Sequence, residues 1–524
     1  MRRQLLLFLL LIGVCRVQAQ CVEVEGEQQG VWDADTILVK GNVKVLDSLT
    51  VLPGTVVLFD GFYHISVGKG SSFQALGGLN DSVVFTVRDT TGFGLVDSPK
   101  GGWNGIQLKG GRLRLDYCVL EYGKAVDSLD KEGGAINIDR GNAFISHSSL
   151  RHNYSCDRGG AIHAQDADFR MSSSHVNENW VLTNTGTYAM YGGGACFLRC
   201  NVFMEDMEFR KNYGPTCIGG ALSLDSCQVD LHGAVFADNE GLNGGGMYIM
   251  RNNFTNSTLY NIAFYNNFSR HFAGALAFSD SSPAVYNILV VGNSSEGVDC
   301  NGIFFYQYSQ PKMTNCIIYG NYPRPENMHD QLNQMWLWTF DDCAPEFRNC
   351  LIEGLMDDIM GWNYIQVFEN IIDADPLFVD AAHCDFHLRE NSPCRDAGYG
   401  YVPSELFTGF DLDGLPRVAN QRIDIGPYEY SPEAVGDPSA VEAPGLIGNP
   451  LGGESRIRLF MDAPETLWVK VYSMDGRCLA SKTVASAAGE VELEIGDLVE
   501  VLASGVYLIE VGDVRQRGLF KAVK

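Results

Sequence analysis

Charged side chains recur at one offset along the middle of the chain, five or six residues after a repeated glycine. Their signs alternate through part of the series, so ion pairing is the chemistry that they offer. This charged row consists of Asp139, Asp166, Arg199, Asp225, Arg251 and Asp280. Two roles remain open: a groove that binds a polar ligand, or a solvated ladder of exposed pairs that contribute roughly 0–1 kcal/mol each.

A second series follows a repeated asparagine. This aromatic row consists of Tyr154, Trp180, Tyr213, Phe268 and Tyr322. Aromatic faces stack on sugar rings, but they also fill the interior of repeat proteins or lie beneath loops. One repeat unit has 34 residues where its neighbours have 26, through an insertion at Trp180–Tyr191, and such insertions tend to lie on the binding face. The predicted ligand-binding residues are therefore Tyr154, Trp180, Tyr213, Arg199, Asp225 and Arg251.

Both rows depend on a sequence repeat that positions them. Phrases such as Gly-Gly-Ala-Ile and Gly-Gly-Ala-Leu place their second glycine position at 134, 160, 194, 220, 246, 274 and 302. The units contain short alternating apolar runs and few helix formers, which indicates stacked strands. We predict an all-β fold, with a right-handed parallel β-helix (a solenoid) followed by a small C-terminal β-sandwich.

An asparagine recurs three residues after an apolar residue in every unit. Asparagine tolerates the left-handed backbone region, and its amide can stack on equivalent amides about 4.8 Å away. The sequence therefore predicts an asparagine ladder formed by Asn153, Asn179, Asn212, Asn239, Asn267, Asn293 and Asn321.

The two phrases together resemble the repeats of polymorphic outer-membrane proteins over residues 133–321. The resemblance implies a β-helix and carries little information about function.

The N-terminus has the order of a secretory signal peptide. Arg2 and Arg3 precede an apolar run from Leu5 to Val14, and small residues end at Ala19. The run is too short to span a bilayer. We expect residues 1–19 to be removed, and no transmembrane segment in the mature chain.

Residues 375–430 carry a series of motifs that includes Asp375-Pro-Leu-Phe, Asp411-Leu-Asp-Gly and Asp424-Ile-Gly-Pro-Tyr-Glu-Tyr. The series resembles the choice-of-anchor Q domains of secreted bacterial β-helix proteins. We expect this segment to close the open end of a β-helix spanning residues 20–430. Asp411 and Asp413 offer oxygen ligands that Ca²⁺ accepts, but an Asp-rich turn explains them first, so we expect no cofactor.

Beyond a linker at 431–446, residues 447–524 carry motifs ending at Arg477, Tyr507 and Lys524. They resemble the C-terminal sorting domain of type IX secretion. The residues that carry this resemblance include Gly476, Arg477, Gly505, Tyr507 and Lys521. It implies the type IX secretion machinery as a partner, and a secreted or outer-membrane-attached protein at the cell surface.

The chain has 15 cysteines, of which Cys15 lies in the leader. Export would expose the others to an oxidising compartment. Cys384 and Cys394 bracket a short strand-like segment closely enough to predict a local disulfide. The remaining pairings stay open.

Net charge limits the function classes. With 38 Lys+Arg against 64 Asp+Glu, the formal charge is −26, which repels nucleic acid and anionic membranes and leaves glycans or host proteins as partners. The leading hypothesis is a non-enzymatic adhesin or binding surface. The alternative is a polysaccharide lyase or glycoside hydrolase, a chemistry common on β-helices. Neither enzyme's motif occurs, so we assign no catalytic residue.

The sorting domain yields the first testable prediction. A chain lacking residues 447–524 should accumulate in the periplasm, because the leader alone directs crossing of the inner membrane. Fractionation and surface proteolysis measure the outcome. Normal surface display of the truncated chain would contradict the assignment.

Overall fold

The computed structural model describes most of the first 431 residues and parts of the remainder. The described residues are 21–96, 98–126, 131–182, 190–254, 256–297, 300–323, 334–338, 342–399, 409–418, 422–431, 445–447, 456–461, 466–473, 478–485, 489–495, 498, 506–512 and 517–523. The chain divides into two compact units, Met1–Ser431 and Pro432–Lys524. Among the described residues, none of the helices has the length and apolar character needed to cross a membrane.

Both units consist of strands, and those of the first unit are mostly paired in parallel. Up to the insertion, its described strands are β1 (Cys21–Trp32), β2 (Thr36–Val51), β3 (Val56–Phe59), β4 (Ile65–Gly68), β5 (Ser72–Leu76), β6 (Val83–Val87), β7 (Ile106–Lys109), β8 (Arg112–Asp116), β9 (Cys118–Glu121), β10 (Lys124–Ala125), β11 (Ile136–Ser146), β12 (Ser149–Arg151), β13 (Tyr154–Ser155), β14 (Ile162–Asn177) and β15 (Trp180–Val181).

The described strands after the insertion continue the same arrangement. They are β16 (Met190–Tyr191), β17 (Ala195–Leu198), β18 (Asn201–Arg210), β19 (Cys217–Ile218), β20 (Leu222–Asp225), β21 (Gln228–Ala237), β22 (Glu240–Asn243), β23 (Met247–Met250), β24 (Thr258–Tyr265), β25 (Phe268–Phe272), β26 (Leu276–Ser279), β27 (Ala284–Val291), β28 (Ser294–Ser295), β29 (Ile303–Tyr306), β30 (Lys312–Thr314), β31 (Ile317–Tyr319), β32 (Met335–Leu337), β33 (Glu346–Arg348), β34 (Leu351–Ile352), β35 (Ile359–Met360), β36 (Val367–Glu369), β37 (Phe378–Asp380) and β38 (Asp385–Leu388).

The parallel strands form three stacks, and each repeat unit adds one rung to every stack. The first stack includes β7, the start of β11, the start of β14, β17, β20, β23, β26 and β29. The second includes β5, β8, the middle of β11 and β14, and then β18, β21, β24 and β27. The third includes β6, β9, β12 and the ends of β14, β18, β21, β24 and β27. Shorter parallel sheets flank them, formed by β10-β13-β15 and by β16-β19-β22-β25-β28.

Alternation along each strand places every second side chain inside the unit. In β5, Phe73 and Ala75 are fully buried, while Gln74 between them points outward. Equivalent residues then stack from rung to rung. Phe209, Phe236 and Phe264 form such a column, with ring centroids 4.7 and 4.8 Å apart and nearly parallel planes.

The repeated glycines are required by close backbone contacts. At Gly159, φ is +59°, and a β-carbon there would lie 1.9 Å from the carbonyl oxygen of Ile162. A β-carbon on Gly160 would lie 2.2 Å from the carbonyl oxygen of Gly193 in the next rung. Because any side chain would collide with backbone, the Gly-Gly phrase marks a position where the backbone is closely packed, both within a rung and between rungs.

The seven repeated asparagines lie in one file beside the third stack. The backbone N–H of each donates to the side-chain Oδ1 of the next asparagine, at 2.9–3.2 Å. Gly123 N–H begins the file by donating to Asn153, and Asn321 N–H ends it on the amide oxygen of Gln334. All seven side chains are buried. The file therefore satisfies backbone groups that would otherwise be buried without partners.

The last part of the first unit contains short 3₁₀ helices and ends in an antiparallel pair of strands. These helices are η1 (Leu355–Asp358), η2 (Trp362–Tyr364) and η3 (Ala381–His383). Strands β37 and β38 pair in antiparallel orientation. Apolar side chains from residues 375–430 pack against the outer surface of the third stack. For example, the ring centroids of Phe386 and Tyr265 are 5.2 Å apart.

In the second unit the described strands form one three-stranded and one four-stranded antiparallel sheet. They are β39 (Gly445–Ile447), β40 (Arg456–Met461), β41 (Thr466–Ser473), β42 (Cys478–Ala485), β43 (Gly489–Glu494), β44 (Val506–Gly512) and β45 (Arg517–Val523). The leader and the predicted sorting residues Gly476, Arg477 and Gly505 lie outside the described residues. Tyr507 lies in β44 and Lys521 in β45.

The asparagine file predicts a large cost for one substitution. Asn239→Ala removes the acceptor of Asn212 N–H and the donor to the carbonyl oxygen of Phe209. Leaving two buried groups unsatisfied should lower the free energy of unfolding by about 3 kcal/mol. Chemical denaturation measures this loss. Asn253→Ala is the matched control, since its exposed amide contacts only Asp280, and equal stability of the two variants would contradict the role of the file.

Candidate functional site

The charged row lies at the corner between the first and second stacks, and its charges pair with one another. Arg199 donates from Nε and Nη2 to both carboxylate oxygens of Asp166, at 2.7 and 2.8 Å. Arg251 contacts both carboxylate oxygens of Asp225 in the same way, with Nε at 2.8 Å from Oδ1. The register places Asp225 opposite Leu198 and Met250, one position before the file of Arg199.

The remaining acids of the charged row are also bonded. The Arg140 side chain donates to Asp139, and the Asn253 amide donates to Asp280. The Arg199 guanidinium holds the pKa of the Asp166 carboxyl below its ordinary value. These guanidinium groups are thus already engaged by carboxylates, and a ligand would have to displace them. The ligand-binding role of the row stays a prediction.

The aromatic row forms a packed column beside the stacks. Tyr154 is buried and donates its hydroxyl to the carbonyl oxygen of Leu182 at 2.9 Å. Trp180 and Tyr213 are half-buried, and the Trp180 ring packs edge-on against Phe93 at 5.3 Å. The Tyr154 ring is therefore covered in this structure, and its predicted ligand contact stays a prediction. Of the other members, Phe268 is buried and Tyr322 is 41% exposed.

A buried lysine fixes the loop that covers this column. Lys124 Nζ donates to the carbonyl oxygens of Phe93 and Leu95 at 2.8 and 2.9 Å, with longer contacts to Gly92 and Lys100. The ammonium also lies 5.6 Å from the centroid of the Tyr154 ring. Burial lowers the pKa of Lys124 to about 8. The lysine anchors a loop that precedes it by 24–32 residues, and the sequence repeat gives no sign of this contact. Of the insertion at 180–191, residues 183–189 lie outside the described residues.

The outer surface of the second stack carries cations without carboxylate partners. Here each strand turns one side chain outward at the same register position, in the order Gln74, Arg114, Phe144, Arg170, Phe203 and Asp230. Arg112 lies two residues before Arg114 on the same face of β8. Within the described chain no ion pair is formed by Arg112, Arg114 or Arg170.

These residues line an open groove of about 680 Å³, which we call the arginine groove; it includes Arg112, Arg114, Phe144, Arg170, Phe203 and Glu205. Phe144 is 50% exposed and lies between two arginines of neighbouring rungs. The Arg170 guanidinium lies 5.5 Å from the Phe203 ring centroid. A planar anion could therefore meet charge and an aromatic face at the same place.

Aromatic rings continue beyond the groove along the same face. The His232 ring lies 5.5 Å from Phe203, and Tyr260 stacks on His232 at 4.6 Å with nearly parallel planes. The strip from Phe144 to Tyr260 thus crosses five successive strands, β11, β14, β18, β21 and β24. With strands about 4.8 Å apart, it is long enough for an extended polymer.

Acids near the groove are partly engaged by neighbouring side chains. Asp168 accepts from the Asn201 amide at 2.7 Å, and Asp230 accepts from the Thr258 hydroxyl at 3.1 Å. Asp116 accepts from the Ser146 hydroxyl at 2.8 Å. Among the described residues that line the arginine groove, the acid is Glu205.

Stacked side chains on the first stack include residue types that are found in nucleophilic active sites, namely a histidine, an asparagine and a cysteine. His163 Nδ1 lies 3.0 Å from Asn137 Oδ1, and Cys196 is the Cα partner of His163 on the next strand. Burial lowers the pKa of His163 to about 3 and raises the pKa of the Cys196 thiol. A neutral imidazole beside a protonated thiol supplies no thiolate, so this row is structural.

The carboxylates of the Asp411 turn are occupied by backbone donors. Asp411 Oδ1 accepts from the N–H groups of Asp413 and Leu415, and Oδ2 accepts from Glu429 N–H. Asp413 contacts His387 Nε2. This is the geometry of an Asp-rich turn, and within the described residues no group of three or more His, Cys, Asp or Glu side chains could hold a metal ion.

Cys384 and Cys394 are free thiols in the structure, as are the other cysteines whose side chains it describes, so their disulfide stays a prediction. Cys384 follows η3 with a left-handed backbone, φ +63°, and its sulfur lies 3.5 Å from the Asn266 amide. Cys394 is fully buried. Both cysteines pack in the apolar cluster between residues 375–430 and the third stack.

Comparison with known proteins leaves the chain without an assigned family. No protein-family model matches it, and no curated protein matches it significantly.

The His387 contacts predict a pH dependence of stability. Asp413 and Asp385 raise the pKa of His387 to about 9 in the folded chain. Since this exceeds the ordinary value of 6.5, the stabilisation is complete below about pH 6.5 and is lost as the pH rises through about 9. His387→Gln should therefore lower the melting temperature more at pH 6 than at pH 10. The control is His383→Gln, whose side chain is 83% exposed. An equal effect of His387→Gln at both pH values would contradict the charged state.

Proposed function

We propose that this chain is a non-enzymatic surface protein, exported by type IX secretion, whose arginine groove binds an extended acidic glycan. The observation that carries the proposal is the set of three arginines without carboxylate partners around the exposed ring of Phe144. The first unit is a right-handed parallel β-helix in this proposal, and the second unit is a sorting domain.

Two features support the β-helix. Successive repeat units add strands to the three stacks in the same chain order, and the described strands of neighbouring repeat units pair in parallel. Connections between parallel strands of one sheet are almost always right-handed, because of the twist of the strands. The leader and the motifs of residues 447–524 support export, and the file of buried asparagines is compatible with a rigid extracellular stalk.

Charge supports an acidic ligand. An arginine guanidinium binds carboxylate or sulfate groups through two parallel hydrogen bonds, and it gains most where no internal acid competes. The charged row lacks this property, because Asp166 and Asp225 already occupy Arg199 and Arg251. The arginine groove is thus the better anion site of the two.

The ligand class follows from the shape of the surface. The groove is open and shallow, and rings of Phe144, Phe203 and His232 are offered at intervals across successive strands. Sugar rings stack on such faces, while the acid groups of a uronate polymer would meet the arginines. A net charge of −26 opposes nucleic acid and a polyuronate alike at long range, so the proposal rests on the local charge and the exposed rings of the arginine groove.

The residues of the groove favour binding over cleavage. Glycoside hydrolysis uses two carboxylates that flank the scissile bond, whereas Glu205 is the acid among the described lining residues. A lyase or hydrolase remains the alternative that an assay must test.

The proposal predicts charge-selective binding. Calorimetric titration should detect binding of polygalacturonate, and none of amylose, which is neutral. Arg114→Ala combined with Arg170→Ala should weaken binding at least tenfold, because each charge-assisted hydrogen bond contributes about 1.5–3 kcal/mol. Phe144→Ala should weaken it by a smaller factor. Added salt should weaken binding of the unaltered chain.

Two control variants test whether binding is specific to the arginine groove. Arg151→Ala removes an exposed arginine that pairs with Glu121 on the third stack, and Arg199→Ala removes a member of the charged row. Both should leave polygalacturonate affinity unchanged. Loss of binding in Arg199→Ala but not in the groove variants would overturn the site, and shortening of the polymer during incubation would establish the enzymatic alternative.

A further inference from the structure

Two pairs of buried cysteines lie at equivalent positions of adjacent rungs. Cys200 and Cys227 form one pair, and Cys316 and Cys350 form the other; each is at most 2% exposed. We infer that Cys200–Cys227 and Cys316–Cys350 are sites of disulfide formation, which join neighbouring rungs covalently in the exported protein. This inference goes beyond ligand binding and concerns the scaffold that presents the arginine groove.

The register of the strands places the two members of each pair together. For the first pair, Leu198 lies opposite Asp225 before the cysteines, and Asn201 lies opposite Gln228 after them. For the second pair, the flanking partners are Thr314 with Arg348 and Ile317 with Leu351. Partners in adjacent parallel strands have Cα atoms about 4.8 Å apart, which is within the range of 4.4–6.8 Å seen for disulfides.

All four cysteines also share one backbone environment. Each follows a residue with positive φ at a corner between stacks: Arg199 at +53°, Ser226 at +55°, Asn315 at +58° and Asn349 at +50°. Equivalent corners turn both side chains of a pair in the same direction. The sulfur of the later cysteine touches the earlier residue, with Cys200 N–H 3.3 Å from Cys227 Sγ and Cys316 N–H 3.4 Å from Cys350 Sγ.

The first pair contains one thiol that is easier to ionise than the other. The Cys227 side chain lowers the pKa of the Cys200 thiol, whereas burial raises the pKa of Cys227. A thiolate is the attacking species in disulfide formation. In the folded chain this contact makes Cys200 the more readily ionised member of the pair.

A cysteine at such a corner can also serve as a hydrogen-bonding residue without forming a disulfide, and the chain contains an example of this role. Cys118 N–H donates to the Ser148 hydroxyl at 3.0 Å, and Ser148 N–H donates to the Ser174 hydroxyl at 3.0 Å. The corner thus needs only a side-chain acceptor from the next rung. Cys118 faces serine across this contact and provides an internal comparison with the paired cysteines.

Formation of each disulfide requires an oxidant, and an external disulfide supplies it through thiol–disulfide exchange. A disulfide of glutathione or of a thiol oxidoreductase is attacked by one cysteine thiolate, which forms a mixed disulfide and releases one thiol. The second cysteine then attacks its partner's sulfur in the mixed disulfide and releases the other thiol. The pair loses two protons and two electrons, and the oxidant is reduced to two thiols. Since the sulfurs are buried, the exchange takes place before the rungs close during folding.

Peptide mapping tests the pairing directly. The full chain is refolded in a buffer of reduced and oxidised glutathione, denatured, alkylated and digested without reduction. Mass spectrometry should find peptides joined through Cys200–Cys227 and Cys316–Cys350, and should find Cys118 alkylated. Alkylation of all four paired cysteines would overturn the inference, as would a bond from Cys350 to Cys394.

A conservative variant separates oxidation from folding. Cys227→Ser keeps a side-chain acceptor for Cys200 N–H, so the corner contact is preserved. In this variant Cys200 should be alkylated, while Cys316–Cys350 stays joined. Reduction should lower the melting temperature of the unaltered chain and leave that of the double variant Cys227→Ser, Cys350→Ser unchanged. An equal effect of reductant on both proteins would contradict a stabilising role for the two bonds.

Discussion

Equivalent positions of adjacent rungs stack directly on one another, and this register constrains every other feature of the first unit. The buried asparagine file supports the register, since the backbone N–H of each asparagine from Asn153 to Asn293 donates to the side chain of the equivalent residue one rung away. Equivalent positions of neighbouring rungs therefore hold the same residue type in these files. Phenylalanine packs on phenylalanine in the interior, and asparagine bonds to asparagine at the corner.

Direct stacking of equivalent positions also limits which charged side chains can follow one another along the surface. Like charges stacked about 4.8 Å apart would repel, so a charged file must alternate in sign or be interrupted. The charged row alternates in sign from Asp166 to Asp280, and Arg199 and Arg251 are neutralised by acids of the preceding rung. On the second stack Phe144 separates Arg114 from Arg170 instead. The repulsion is reduced by distance, and the positive charge is left for an external partner. An acidic protein that keeps unpaired arginines on one face has a surface suited to a polyanion.

The sequence alone predicts the features that recur in each repeat unit, but it does not predict the features that occur once. The all-β class and the spacing of the seven asparagines follow from residues that recur in each unit. Arg112 and Arg114 lie before the Gly-Gly units, and their place beside Phe144 and Arg170 appears only when strands β8, β11 and β14 are set in register. The burial of Tyr154 depends on Lys124 holding a distant loop over the aromatic column. The contact of the Cys384 sulfur with the Asn266 amide joins residues far apart in the chain, and the spacing of Cys384 and Cys394 does not reveal it.

The most direct test of the glycan-binding surface is a crystal structure of the full chain soaked with an oligogalacturonate. The account predicts ligand density along the outer surface of the second stack, with a sugar ring on Phe144 and carboxylates at Arg114 and Arg170. Density at the charged row around Arg199, or an empty arginine groove at a saturating ligand concentration, would contradict it.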